Sequence, residues 1–229
     1  MKIAVLSDIH SNLTALKAVL EDLPKVDEIL CLGDLVGYAA EPNEVVELVR
    51  ERNIRCVMGN HDYAAVTGDV RGLNELAAGA ALWTHRTLRE ENRCFLRSLP
   101  LEARLKLSGK SLYLAHGSPR DPLWEYVFPE LPNSSLLEIV RGVEADLSIF
   151  GHTHVPMERK IFGKLVLNPG GVGQPRDLDP RASYMLLELD GEEPRIQIRR
   201  VKYDIDLTAK KIRTAGLPEE LAARLYFGW

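Results

Sequence analysis

The sequence predicts an α/β fold in which two mixed β-sheets pack on each other. Three observations carry that expectation. Short apolar runs alternate with helical periodicity in the first half, strand-like segments crowd the chain after residue 103, and one apolar run after another ends abruptly in polar residues. A β-α-β-α-β run implies parallel pairing with right-handed crossovers. The strand ends then open on one edge, where open α/β sheets keep their sites.

Lys2 to Leu6 is the first strand, closed by Ser7, Asp8, Ile9, His10, Ser11 and Asn12. In extended backbone Asp8 and His10 would share one side of the chain, about 6 to 7 Å apart at Cα, within reach of one cation. Asn12 suits the N-cap of a helix whose core positions Leu13, Leu16, Leu20 and Leu23 run to Pro24. Glu28 to Leu32 is the second strand, ending in Gly33, Asp34, Leu35, Val36, Gly37 and Tyr38. Pro42 fits a first helical position, followed by a stripe of Val45, Val46, Leu48 and Val49. Ile54 to Met58 is the third strand, closed by Gly59, Asn60, His61 and Asp62.

Asn74 to Leu99 keeps a helical pattern up to Pro100; His85 and Trp83 within it read as packing or surface residues. Ala103 to Leu107 and Ser111 to Ala115 flank Ser108-Gly109-Lys110 as a hairpin, whose second strand ends in His116. Ser134 to Val140 predicts a helix. Leu147 to Phe150 is a strand ending in Gly151, His152, Thr153 and His154, and Leu165 to Leu167 leads into the tight loop Asn168-Pro169-Gly170-Gly171. Met185, Leu187 and Leu189 alternate as a half-buried strand. Another begins at Ile196 and Ile198, and its change of phase at Arg199 and Arg200 predicts a bulge. Asp206 and Pro218 start two terminal helices. The apolar end Leu225, Tyr226, Phe227 and Trp229 is expected to pack on the body or on a second subunit of a homo-oligomer.

No linker, repeat or low-complexity segment divides the 229 residues, so residues 1–229 are read as a single domain. A net charge of -4 gives no general reason to expect nucleic acid or an anionic membrane as partner, although two divalent cations would cancel it. Of three cysteines, Cys31 and Cys56 fall in strands, which favours buried thiols over disulfides. No targeting pattern and no long apolar run is present, and the expected location is cytoplasmic.

Five of the six histidines, His10, His61, His116, His152 and His154, lie directly beyond apolar strands. With Asp8, Asp34 and Asn60 they offer mixed nitrogen and oxygen donors. That set suits Mn, Fe, Zn, Co or Ni better than Ca or Mg, with manganese placed first. The seven donors Asp8, His10, Asp34, Asn60, His116, His152 and His154 exceed what one six-coordinate ion can hold beside a water. If Asp34 bridges, two divalent transition-metal ions about 3.5 to 4 Å apart can share a hydroxide.

In this order, Asp8-Ile9-His10, Gly33-Asp34, Gly59-Asn60-His61-Asp62, His116 and Gly151-His152-Thr153-His154 resemble the five blocks of the calcineurin-like metallophosphoesterases. The resemblance implies a four-layer α-β-β-α sandwich. It would put Asp8, His10, Asp34 and His154 on one ion, and Asp34, Asn60, His116 and His152 on the other. It would leave His61 off the metals, facing the phosphate as a catalytic residue, with Asp62 behind it. The protein phosphatases of this family extend the second block with Asp-Arg-Gly and place an arginine after the Asn-His pair. Here Leu35-Val36-Gly37-Tyr38 and Asp62-Tyr63 stand instead, and the chain is more similar to the small prokaryotic phosphodiesterase-like branch.

The expected activity is therefore hydrolysis of small phosphodiesters by attack of a metal-bridging hydroxide on phosphorus. Alternatives on the same site are a phosphomonoesterase or a nucleotide or dinucleoside-polyphosphate hydrolase. Others are a non-catalytic metal-binding scaffold, or a nuclease using the late basic cluster Arg199, Arg200, Lys202, Lys210, Lys211 and Arg213. Arg120, Tyr38 and Tyr63 are candidate substrate contacts, each weighed against an ordinary loop or covering role.

Overall fold

The computed structural model describes residues 1–229. Ten strands form two five-stranded sheets. The first has the order β10 (Arg195–Val201), β9 (Ala182–Glu188), β1 (Lys2–Leu6), β2 (Glu28–Cys31), β3 (Arg55–Cys56). The second has the order β4 (Glu102–Leu107), β5 (Lys110–Ala115), β6 (Leu147–Phe150), β8 (Lys164–Asn168), β7 (Met157–Ile161). β1, β2 and β3 run parallel, as do β5, β6 and β8, while hairpin partners β4, β7 and β10 and the return strand β9 pair antiparallel.

Side-chain alternation separates the layers. Ile3 and Val5 of β1 point between the sheets and meet Leu112 and Leu114 of β5 and Leu147 and Ile149 of β6. Ala4 and Leu6 point the other way, onto α1 (Leu13–Asp22), α2 (Pro42–Glu51), α3 (Asn60–Thr67) and α5 (Glu90–Arg97). On the far side Tyr113 and Phe150 pack under α6 (Asn133–Ile139). The result is the expected four-layer α-β-β-α sandwich. A fourth cluster gathers α4 (Glu75–Thr87), α7 (Ile205–Thr214), α8 (Glu219–Ala223) and the following 3-10 turn Arg224–Tyr226 around Tyr38. No helix is long and apolar enough to cross a membrane.

Several local expectations need correction. The pattern from Asn74 to Leu99 is two helices, because Leu88 is extended at φ -61°, ψ 128° and ends α4. The third strand keeps only Arg55 and Cys56, since the Met58 amide turns to donate to the Pro100 carbonyl. No bulge occurs at Arg199 and Arg200: β10 pairs with β9 one residue to one from Arg195 to Val201. The broken alternation has another cause, in that Arg199 reaches Asp22 and Arg200 reaches Asp177, leaving their stems half-buried. Leu225 is buried as expected, but Phe227 and Trp229 remain 60% and 53% exposed.

Candidate metal centre

Three blocks of polar residues follow β1, β2 and β3 of the first sheet and two follow β5 and β6 of the second. Five of the proposed ligands do so in a left-handed backbone: Asp8 at φ 55°, His10 at 49°, Asp34 at 53°, His152 at 66° and His154 at 60°. Residues with a Cβ avoid that region, at about 1 to 3 kcal/mol each, unless their surroundings enforce it. The enforcement is visible. The amides of Asp8, His10 and Ser11 donate to the carbonyls of Gly33, Asp34 and Leu35, lacing the first strand end to the second. The extended backbone expected for Asp8 and His10 is thus replaced by a tight corner. Glycine at position 59 permits the next approach, because a Cβ there would overlap the Asp34 carboxylate and amide.

Two sets of donors result. In the first, His10 Nε2 lies 3.2 Å from His154 Nε2, and Asp8 Oδ1 lies 3.2 Å from His154 Nε2. In the second, His116 Nε2 lies 3.0 Å from Asn60 Oδ1 and 3.1 Å from His152 Nδ1. Asp34 joins them: its Oδ2 is 3.5 Å from His10 Nε2 and 3.3 Å from His116 Nε2.

Backbone carbonyls orient all four rings. His10 and His116 donate from Nδ1 to Val36 and Leu32, His154 from Nδ1 to Gln174, and His152 from Nε2 to Trp124. The remaining nitrogens of His10, His152 and His154 carry lone pairs aimed into the centre, and that of His116 does so once its proton is lost, the arrangement that metal-ligating imidazoles need. His10 and His154 thus face each other through like lone pairs. Neighbouring ligands about 2.1 Å from one ion stand about 3 Å apart, so a cation would reconcile them. Asp8 Oδ1 and Asp34 Oδ2 are buried without hydrogen-bond partners, a costly state for carboxylate oxygens unless a cation takes them. The residues fit two divalent ions.

Electrostatics of the metal-free centre agree. Burial, with smaller cationic contributions, pushes His10, His152 and His154 below the ordinary histidine range, so they are neutral. Burial also opposes charge on His116, but the Asp34 and Asp8 carboxylates outweigh it and raise the ring to about 9. Asp34 is held well below its usual range, burial being outweighed by His116 and His61. A proton on His116 occupies the place a cation would take.

His61 lines the cavity, its ring centroid 4.8 Å from that of His10 and 4.4 Å from that of Tyr38. It also forms a third potential ligand group with His10 and Asp34, within 4.8 Å. Asp62 does not orient it. Both Asp62 oxygens accept backbone amides, Oδ1 from Val36 and Oδ2 from Gly59, so this carboxylate fastens the second strand end to the start of α3.

The cavity over the centre measures about 160 Å³ and includes Asp34, Asn60, His152 and His154. Of the tentative substrate contacts only Tyr38 lines it, and that ring is packed against His10 and His61. Arg120 is paired with Glu125 and lies outside the lining, as does Tyr63. Among the lining residues that escaped the sequence reading are Arg176, and Tyr126, which stacks on His152 at 3.7 Å. Arg176 lies beyond the Pro169–Pro175 loop that follows β8, so the rule of polar residues directly after an apolar strand does not reach it.

Paired cations at the strand ends of such a sandwich serve phosphate-ester hydrolysis, and the fold and site together define a dinuclear metal-dependent phosphoesterase. The chain belongs to the calcineurin-like phosphoesterase superfamily, whose domain model matches residues 1–192. It is 42% identical to an uncharacterized protein of Methanocaldococcus jannaschii, over 99% of this chain and 98% of that one. The crystal structure of a metallophosphoesterase from Sphaerobacter thermophilus superposes with a TM-score of 0.86 at 39% identity, covering 100% of this chain and 99% of that one. A Pyrococcus horikoshii protein shares the fold at a TM-score of 0.91 and 24% identity, covering 100% and 98%.

Proposed function

We propose that the chain belongs to the phosphodiesterase-like branch and hydrolyses small phosphodiesters. Asp8, His10, Asp34 and His154 hold one ion, and Asp34, Asn60, His116 and His152 the other. The observation that carries this assignment is Asp34 Oδ2, a buried oxygen without a hydrogen-bond partner that both donor sets share. Two divalent ions held by these residues would activate water near neutral pH and polarise the phosphoryl oxygens.

This chain's residues do the rest. The carbonyls of Val36, Leu32, Gln174 and Trp124 hold the four imidazoles in the ligating orientation. The His61 amide donates to Asp34 Oδ1 at 2.8 Å, which leaves Oδ2 for the centre and fixes the start of α3. The His61 ring, off the ions in this assignment, faces the leaving oxygen; burial lowers it to about 4 in the metal-free chain, so it must gain its proton with the anionic substrate to act as the acid. Tyr126 and Tyr38 wall the cavity and limit water.

A small substrate follows from the small cavity, below the usual range for drug-sized ligands. The nuclease alternative loses its basic track, because Arg199, Arg200, Lys211 and Arg213 are each paired with a carboxylate. A single domain over residues 1–229 is supported by β10 and by Leu221 and Leu225, which pack on the body beyond the family match. Mixed nitrogen and oxygen donors admit manganese, our first choice, beside Fe, Zn, Co or Ni, and the three free cysteines suit a cytoplasmic setting. The test is a panel of diesters, monoesters, cyclic nucleotides and dinucleoside polyphosphates, offered to protein reconstituted with Mn²⁺. Chelator-sensitive turnover, fastest on diesters, is expected; no turnover of any ester with two ions bound would contradict the proposal.

A further inference from the structure

Arg176 enters the cavity from the loop after β8, where its amide donates to the His154 carbonyl at 3.4 Å. Its guanidinium meets no carboxylate: Nη2 donates to the Tyr38 hydroxyl at 3.1 Å, and the buried Nε has no partner. The neighbouring carboxylate, Asp177, is taken by Arg200. Tyr38, 6% exposed, is itself wedged against His10 and His61, so the oxygen that fixes Arg176 belongs to the ligand layer.

A second guanidinium stands behind the first. Arg224 lies 5.5 Å from the Tyr38 ring, and Arg176 5.8 Å. Its partners are the backbone oxygen of the last residue, Trp229, and, in the satisfied amide orientation, the Gln174 side chain. Two cations flanking one tyrosine beside a buried centre, neither paired with an Asp or Glu side chain, leave a positive field over the cavity. It reaches Asp8, His10, His61, His152 and His154. Apart from the Tyr38 bond the guanidinium N–H groups of Arg176 have no hydrogen-bond partner in the protein, and a guanidinium with unused donors matches the oxygens of a phosphoryl group.

We infer that Arg176 is the phosphate anchor of this site, gripping two non-bridging phosphoryl oxygens of substrate and product, with Tyr38 as its positioning residue. The inference rests on the phosphoesterase reading for its substrate but not for its anion. Arg224, outside the span of the family match, backs the anchor and brings the C-terminal segment into the site.

The test compares the wild type with Arg176→Gln and Arg176→Lys, each loaded with Mn²⁺ to two ions per chain as verified by metal analysis. Orthophosphate binding is measured by calorimetry, and KM and kcat are measured separately on the best ester. Loss of one charge-assisted bidentate contact is worth about a tenfold to hundredfold weakening of orthophosphate in Arg176→Gln. KM should rise in parallel, with kcat changing less, and Arg176→Lys should fall between, retaining charge without the fork. Orthophosphate affinity and KM in Arg176→Gln within twofold of the wild type, with both ions present, would overturn the inference. Orthophosphate binding that depends on Arg176 in a protein that cleaves no ester would uphold the anchor while contradicting the phosphoesterase reading.

Discussion

Asp34 Oδ2 stands 3.3 Å from His116 Nε2, and in the metal-free chain this contact is a buried ion pair that holds a proton where a metal would bind. Loading the centre must expel that proton. Metal affinity should therefore increase with pH up to about 9, by about tenfold per unit for each proton displaced. Calorimetry in buffers of different ionisation enthalpy would count the protons. Stability without metal should run the opposite way. The folded value of His116, about 9, lies above its ordinary 6.5, so its contribution is complete below pH 6.5 and is lost as pH rises through 9. Asp62, raised to about 7 chiefly by burial, adds a loss of the same sign through pH 7. Melting temperatures of chelator-treated protein should fall between pH 6.5 and 9, and those of metal-loaded protein should not follow.

His61→Ala should retain both ions and lower turnover by about two to four orders of magnitude, the usual contribution of a positioned acid-base group. Metal content measured beside kcat checks this. Loss of one ion would instead assign His61 to the third donor group with His10 and Asp34.

Asp62→Ala should act on the fold. It strands the buried amides of Val36 and Gly59, at about 1 to 3 kcal/mol each. Denaturant unfolding should show that loss, whereas a drop in kcat of the size expected for His61→Ala, at unchanged stability, would restore Asp62 to catalysis.

Gly59→Ala should destabilise by about 1 to 3 kcal/mol and weaken both ion sites, since its Cβ would meet the Asp34 carboxylate and amide. Gly79→Ala, in α4 with open space beside it, is the matched control and should be neutral or mildly stabilising.

The sandwich and the donor set were legible because both follow from short-range pattern. Apolar runs such as Lys2–Leu6 and Leu147–Phe150 mark strands, and the polar residues after them mark the ends that carry the donors. What the pattern hid depends on backbone conformation and on contacts distant in sequence. The left-handed corners at Asp8 and His10 carry no local signal, because neither residue is glycine and the carbonyls that enforce them lie in the next strand end. Arg176 and Tyr38 are 138 residues apart in the chain, so their contact cannot be read from spacing. β7, by contrast, has a local signal: Met157, Arg159 and Ile161 alternate with Glu158 and Lys160, as a strand with one buried face should.

The central claim is a pair of ions sharing Asp34. Anomalous diffraction from Mn²⁺-soaked crystals, with metal analysis of wild type and Asp34→Asn, tests it most directly. Two anomalous peaks about 3.5 to 4 Å apart with the Asp34 carboxylate between them are expected, and both should fade in Asp34→Asn. A single peak at saturating metal, or an Asp34→Asn variant that keeps two ions per chain, would contradict it.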